Sequence, residues 1–222
     1  MINRSRSLKR LFPVFGVSLV ASFALIALAA AGASALSLTP APQSDTFAGG
    51  ALNAESQTST MSVSCSGSSG SGTWSSGTAA TARLSLTGCV LPYYGFSCTT
   101  SGQAKGTILT KLLSLTPIYL NAAHTRYGLL ITGEGASKAF ATFNCAESRT
   151  WSGTVVAEIT TPLNTGTNSF GLKFGNLGAE TAFYLIEQGI YPGLSEPTYG
   201  GVSINTSMQM STAGGGLSKF IP

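Results

Sequence analysis

The sequence predicts an all-β protein, an antiparallel β-sandwich or barrel with one short helix near residues 179–188. Three observations predict it. Several short segments alternate apolar and polar side chains with period 2, as in 80–87, where Ala80, Ala82, Leu84 and Leu86 oppose Thr81, Arg83, Ser85 and Thr87. Clusters of Gly, Pro, Asn and Ser separate most of these segments, as turns between strands require. The composition agrees: 30 Ser, 26 Thr and 27 Gly stand in 222 residues, and only 9% of the chain is charged, against roughly 25% in an ordinary soluble domain.

The elements follow in chain order. Residues 1–35 have the layout of a secretory signal peptide. Arg4, Arg6, Lys9 and Arg10 form a basic start, residues 11–31 are predominantly apolar, and Ala33, Ser34 and Ala35 give a small-x-small cleavage site. An uncleaved anchor is the alternative, since the apolar stretch approaches the ~20 residues needed to span a bilayer. Residues 36–57 lack periodicity and are rich in Pro, Ala, Gly, Thr and Ser, which predicts a flexible linker or arm. A single disulfide-stapled β domain is expected over 58–211, with strands near 61–65, 80–87, 106–110, 118–121, 127–132, 139–145, 151–160, 169–174 and 201–210. Residues 66–72 read as a Ser/Gly loop. Gly189 and Pro192 would end the helix, and the Gly-rich stretch 212–222 reads as a mobile tail.

The net charge of +4 belongs to the targeting segment. Without its four basic residues, Lys and Arg balance Asp and Glu, so nothing points to a nucleic-acid partner. Cys65, Cys89, Cys98 and Cys145 all lie beyond the expected cleavage site, where an even count in an oxidising compartment predicts two disulfides. The Pro and Gly between Cys89 and Cys98 suggest a turn that pairs these two, leaving Cys65 to join Cys145. The sequence contains no C-x-x-C, and its one histidine, His124, is poorly placed to complete a zinc site; no metal and no cofactor are expected.

One stretch carries a resemblance. Gly88-Cys89, Cys98-Thr99-Thr100-Ser101-Gly102, Gly106-Thr107-Ile108-Leu109-Thr110, Phe140-Ala141-Thr142-Phe143-Asn144-Cys145 and Ser152-Gly153-Thr154-Val155 together resemble a group of secreted actinobacterial β-rich proteins with no assigned activity. The resemblance covers the middle and C-terminal part of the chain. It implies a secreted β domain and carries no catalytic residue.

No catalytic residues are assigned. A Ser-His-Asp triad would have to use His124 and Asp45, but His124 lies in a polar turn and Asp45 in the expected arm. Glu180 and Glu187 flank the helix and are the least unsuitable carboxylate pair for glycoside hydrolysis, though nothing fixes their geometry. The candidate ligand-binding residues are aromatic: Tyr93, Tyr94, Trp74 and Trp151 lie beside Ser/Gly turns. Core packing competes with exposure for each. Trp151 shares parity with Val155 and Ile159, which favours the core, whereas Tyr93 and Tyr94 lie in a turn. The expected function is therefore that of a secreted or cell-envelope protein with a structural or interaction role, exported by the general secretory route and not an enzyme. A carbohydrate- or cell-wall-binding module is the alternative and an unrecognised hydrolase the second. Expected partners are a cell-wall glycan or an envelope protein, with membrane contact only if the N-terminal segment stays uncleaved.

Overall fold

The computed structural model describes residues 36–56, 62–133, 135–175, 178–197 and 200–222. The chain opens with β1 (Ser37–Thr39), β2 (Gln43–Gly49), β3 (Leu52–Ser56), β4 (Val63–Cys65), β5 (Gly67–Ser76) and β6 (Ala79–Thr87). A short hairpin of β7 (Val90–Leu91) and β8 (Phe96–Ser97) follows. Next come β9 (Ile108–Leu109), β10 (Leu113–Tyr119), β11 (Tyr127–Thr132), β12 (Ala139–Asn144), β13 (Ser148–Ile159) and β14 (Ser169–Phe174). The chain ends with α1 (Ala179–Glu187), β15 (Gly193–Glu196), β16 (Gly200–Thr212) and β17 (Lys219–Ile221). The described strands pair antiparallel in a sandwich-like arrangement, as the period-2 alternation predicts.

Two long strands organise the pairing. β13 has 12 residues and β16 has 13, enough for each to change partners along its length. Through one half of each, hydrogen bonding runs β13–β11–β10–β6–β5–β2–β16–β14 and back to β13. Through the other half it runs from β13 to β12, and from β16 through β3, β4 and β7 to β8, with β15 bridging β13 and β16. Just past β8, Thr99 pairs with Asn144 of β12, so this second circuit also closes. Phe47, Leu84, Leu115, Ile131, Leu172 and Met208 fill the first circuit from six different strands.

Residues 66–72 are not a loop. Most of this segment belongs to β5, hydrogen-bonded to β2 on one side and β6 on the other. Here glycine takes the inward position of a half-buried strand, while Ser69, Ser71 and Thr73 face out. A Cβ on Gly70 would lie 2.5 Å from the Arg83 carbonyl oxygen and 2.6 Å from Leu84, and one on Gly72 would lie 3.0 Å from the Phe47 ring. The glycines leave room for large side chains from β2 and β6, so the segment loses its apolar signature without losing its period.

The arm and the tail are corrected as well. Within 36–57, Leu38, Phe47, Leu52 and Ala54 are buried, and β2 and β3 both pair with β16. Within 212–222, β17 pairs with β1, and Phe220 lies against Trp74, Tyr127 and Phe170 at ring-centroid distances of 6.1, 5.6 and 5.1 Å. One buried aromatic side chain fixes a segment that otherwise reads as a Gly-rich end. The strand expected at 118–121 is β10, which ends at Tyr119 and pairs with β11 and β6.

The predicted helix forms as α1. Its Leu185 packs with Leu120 and Val156 on the outer face of the sheet, which explains why Thr154 to Ala157 on β13 are buried on both faces. Gly189, at φ 73°, stops it. Its N–H donates to the Ile186 carbonyl and that of Ile190 to the Leu185 carbonyl, a termination that positive φ makes easy for glycine.

Both disulfides form, but with a different connectivity: Cys65–Cys89 and Cys98–Cys145. The expected turn exists, and it brings Cys89 opposite Cys98. That pair is the hydrogen-bonded one, with the Cys98 N–H donating to the Cys89 carbonyl at 2.9 Å. Such pairs have the wider Cα spacing, and the neighbouring non-hydrogen-bonded pairs come closer. Thr99 and Asn144 exchange both backbone hydrogen bonds, which makes Cys98 and Cys145, the next pair along, a close one with Cα atoms 4.3 Å apart. Cys89 directs its N–H to Gly106 and lies 3.9 Å, Cα to Cα, from Cys65.

Candidate functional site

The four cysteines form a row across β4, β7, β8 and the end of β12, and the β7–β8 hairpin stands at its centre. Each strand of this hairpin contributes only two residues, too few for stability by themselves. Its attachments are equally thin. β4 meets β7 through the single pair Ser64–Val90, and the β8 side meets β12 through the single pair Thr99–Asn144. Each disulfide reinforces one of these two seams.

The stapled hairpin projects aromatic rings. Tyr93 is 78% exposed, Tyr94 48% and Phe96 49%. The Tyr93 ring stands edge-on to Tyr94, with centroids 4.8 Å apart and planes at 80°. Tyr94 and Phe96 lie parallel within 10°, 5.9 Å apart. Leu91 and both central cysteines are buried beneath them. The N–H groups of Tyr94 and Gly95 both donate to the Leu91 carbonyl, at 3.1 and 2.8 Å, and Gly95 takes φ 66°, so the tip is a closed turn. Sequence reasoning identified Tyr93 and Tyr94 and missed Phe96. The signal was available: Phe96 follows the Gly that completes the turn, next to Ser97 and Cys98.

Trp74 and Trp151, the other two candidate ligand-binding residues, are corrected: both are 1% exposed. Trp151 on β13 packs edge-to-face on Phe143, 4.7 Å away. Trp74 on β5 donates its indole N–H to Asp45 at 2.7 Å. The second Asp45 oxygen accepts from Gln43 at 3.1 Å, and Gln43 in turn accepts from Ser218 at 2.8 Å. Asp45 is therefore a buried member of a polar network that joins β2, β5 and the C-terminal end. Burial raises its carboxyl above the ordinary range, against the opposing effect of the Trp74 and Gln43 hydrogen bonds.

The remaining polar candidates are engaged elsewhere. His124 lies in an exposed turn at φ 56°, stacked on Tyr119 with centroids 4.0 Å apart. Glu180 and Glu187 are exposed on α1. Glu158 receives a two-pronged pair from Arg126, at 2.7 and 3.0 Å, and the same guanidinium reaches Thr181 on α1 at 2.7 Å. Arg126 holds the Glu158 carboxyl below its usual value. Arg149 and Glu196 form a second bidentate pair, at 2.5 and 2.8 Å, with both side chains 2% exposed. This buried pair ties β13 to β15. Burial also pushes the Tyr127 hydroxyl, which donates to the Thr161 carbonyl, up to about 12.

Where β14 and β15 part on β13, a cavity of roughly 500 Å³ opens beside α1. Its described lining includes Val155, Val156, Val202, Ile204 and Asn205 and no charged side chain. Among the described residues, no helix is long and apolar enough to cross a membrane. No protein-family model, curated protein or solved structure matches the chain.

Proposed function

We propose that this chain is a secreted, non-enzymatic interaction module, exported by the general secretory route and cleaved after Ala35, whose contact surface is the tip of the β7–β8 hairpin. The observation that carries the reading is the assignment of both disulfides to one small hairpin with exposed rings at its end. Rigidity at an exposed aromatic tip reduces the ordering cost of binding, and Tyr is among the residues that dominate contact energies. Two disulfides are the chemistry of an oxidising compartment, and β1 begins at Ser37, immediately beyond the expected cleavage point.

The test is retention. Exported protein, with an intact mass that starts at Leu36, is mixed with the washed envelope fraction of the source cells and sedimented. Replacing both Tyr94 and Phe96 with alanine is expected to lower the retained fraction by about tenfold, the equivalent of about 1.4 kcal/mol, with an unchanged thermal midpoint. Equal retention of parent and variant would remove the hairpin from the contact.

A further inference from the structure

The polar network around Asp45 sets a hydroxyl, a carboxamide and a carboxyl group in sequence. Ser218 is 1% exposed and is held by both of its backbone groups: its N–H donates to the Thr167 carbonyl at 2.8 Å, and its carbonyl accepts from the Thr167 N–H at 2.9 Å. Its hydroxyl donates to Gln43 Oε1 at 2.8 Å, one bond from the carboxamide carbon. On the other arm of the same carboxamide, Nε2 donates to Asp45 Oδ1 at 3.1 Å. Gln43 and Asp45 stand two residues apart on β2 and so share a face. Thr212 Oγ1, on the part-exposed end of β16, lies 3.1 Å from Ser218 Oγ, and either hydroxyl can be the donor. A nucleophile, an electrophile and an acid are thus in contact, with the acid at the atom that would leave.

We infer that Ser218 and Gln43 condense into an intramolecular ester that ties β2 to the segment before β17. Ser218 turns its hydroxyl proton towards Thr212, which aims a lone pair at the carboxamide, and attacks Gln43 Cδ. The Oγ–Cδ bond forms and the Cδ–Nε2 bond breaks. Asp45 in its neutral form gives its proton to the departing nitrogen, which leaves as ammonia. The Ser218 proton passes through the Thr212 hydroxyl to solvent. The reaction runs once per chain and consumes no oxidant, metal or cofactor. Burial raises the Asp45 carboxyl, which helps it hold the proton that this step spends. Ser218 and Asp45 are buried, so water, the competing nucleophile, is kept from the finished ester. The inference is independent of the hairpin reading above. Its consequence is mechanical: only β1 and β17 lie outside the closed loop, so a pull on the two chain ends peels that small sheet and then meets a covalent bond.

Intact mass spectrometry of the purified protein, reduced and alkylated, tests this. The mass is expected about 17 Da below that calculated for the same N-terminus, the loss of one ammonia. A tryptic map is expected to join the peptide that contains Gln43 to the peptide that contains Ser218, and hydroxylamine, which cleaves esters, to separate them. Ser218→Ala should restore the full mass and remove the link, with thermal midpoints confirming that the variant is folded. Asp45→Asn keeps an acceptor for Trp74 and removes the acid, and should slow accumulation of the linked chain by about a hundredfold or more. A parent protein that stays at full mass over days in neutral buffer overturns the ester. A deficit of about 17 Da confined to one peptide, as an asparagine succinimide gives, overturns it too. A link that survives Ser218→Ala and is lost in Thr212→Val overturns Ser218 as the nucleophile.

Discussion

Asp45 is the clearest case of one residue whose environment sets a measurable property. Its carboxylate is buried beside an indole N–H and an amide, with no cation among its hydrogen-bond partners. Its folded-state value therefore lies above the unfolded 3.8. A carboxyl group raised in this way contributes stability that is fully present below the unfolded value and is lost as pH rises through the folded one. Asp45→Asn preserves an acceptor for Trp74 and removes the titration. Relative to the parent, the variant is expected to become progressively more stable as pH rises from about 4 towards neutrality, as read from thermal midpoints across that range. A difference that stays flat with pH would show that burial does not raise the Asp45 carboxyl above its unfolded value. Little of this was legible in the sequence. Asp45 lies in a Pro- and Ser-rich stretch, and its partner Trp74 follows a Ser/Gly run, so neither segment declares itself as a strand. The exposure of Tyr93 and Tyr94 was legible, because a turn closed by Pro and Gly keeps its side chains out of a core.

The β7–β8 hairpin behaves as an inserted finger. With two residues per strand and one ladder pair on each flank, its hold on the sheets is largely covalent. In the chain-entropy description, closing loops of 24 and 47 residues stabilises the fold by about 3.5 and about 4 kcal/mol. Replacing Cys98 and Cys145 with serine is expected to lower urea stability by about 3–4 kcal/mol and to admit proteolytic nicking at 92–95 while the parent resists it. A non-reducing peptide map of the parent should link Cys65 to Cys89 and Cys98 to Cys145; recovery of a Cys89–Cys98 peptide would contradict the register derived above. The number of bridges could be read from the count of cysteines, but not the pairing. Whether two facing residues form a wide or a narrow pair depends on which neighbours carry the ladder hydrogen bonds, and that is settled only when β12 arrives from far along the chain. The glycine-faced strand β5 was missed for a related reason: its inward positions are defined by Phe47 and Leu84 on other strands.

At the scale of the molecule, the chain ends act together. β1 and β17 form a two-stranded sheet of their own, and Leu38 and Phe220 anchor it, with Phe220 meeting Trp74, Tyr127 and Phe170. Phe220→Ala removes a fully buried ring and is expected to cost about 3–5 kcal/mol. Because the two strands share one ladder, protection of the Leu38 amide against hydrogen exchange, which depends on its 2.7 Å bond to the Gly77 carbonyl, should fall in the same variant. Undiminished protection at Leu38 would mean that β1 docks independently of β17. The all-β class was visible from period-2 alternation, but the two closed circuits were not, since β13 and β16 look like ordinary strands until their halves are seen to pair with different partners. The cysteine row bears, finally, on how the chain matures. The bridges are consecutive along the chain, neither nested nor interleaved. A polypeptide that emerges from its N-terminal end exposes Cys65 and Cys89 before Cys98, and Cys98 before Cys145. Of the three pairings available to four thiols, this is the one that an oxidant can complete strictly in order of emergence, each bond sealed before its rival appears and with no later reshuffling.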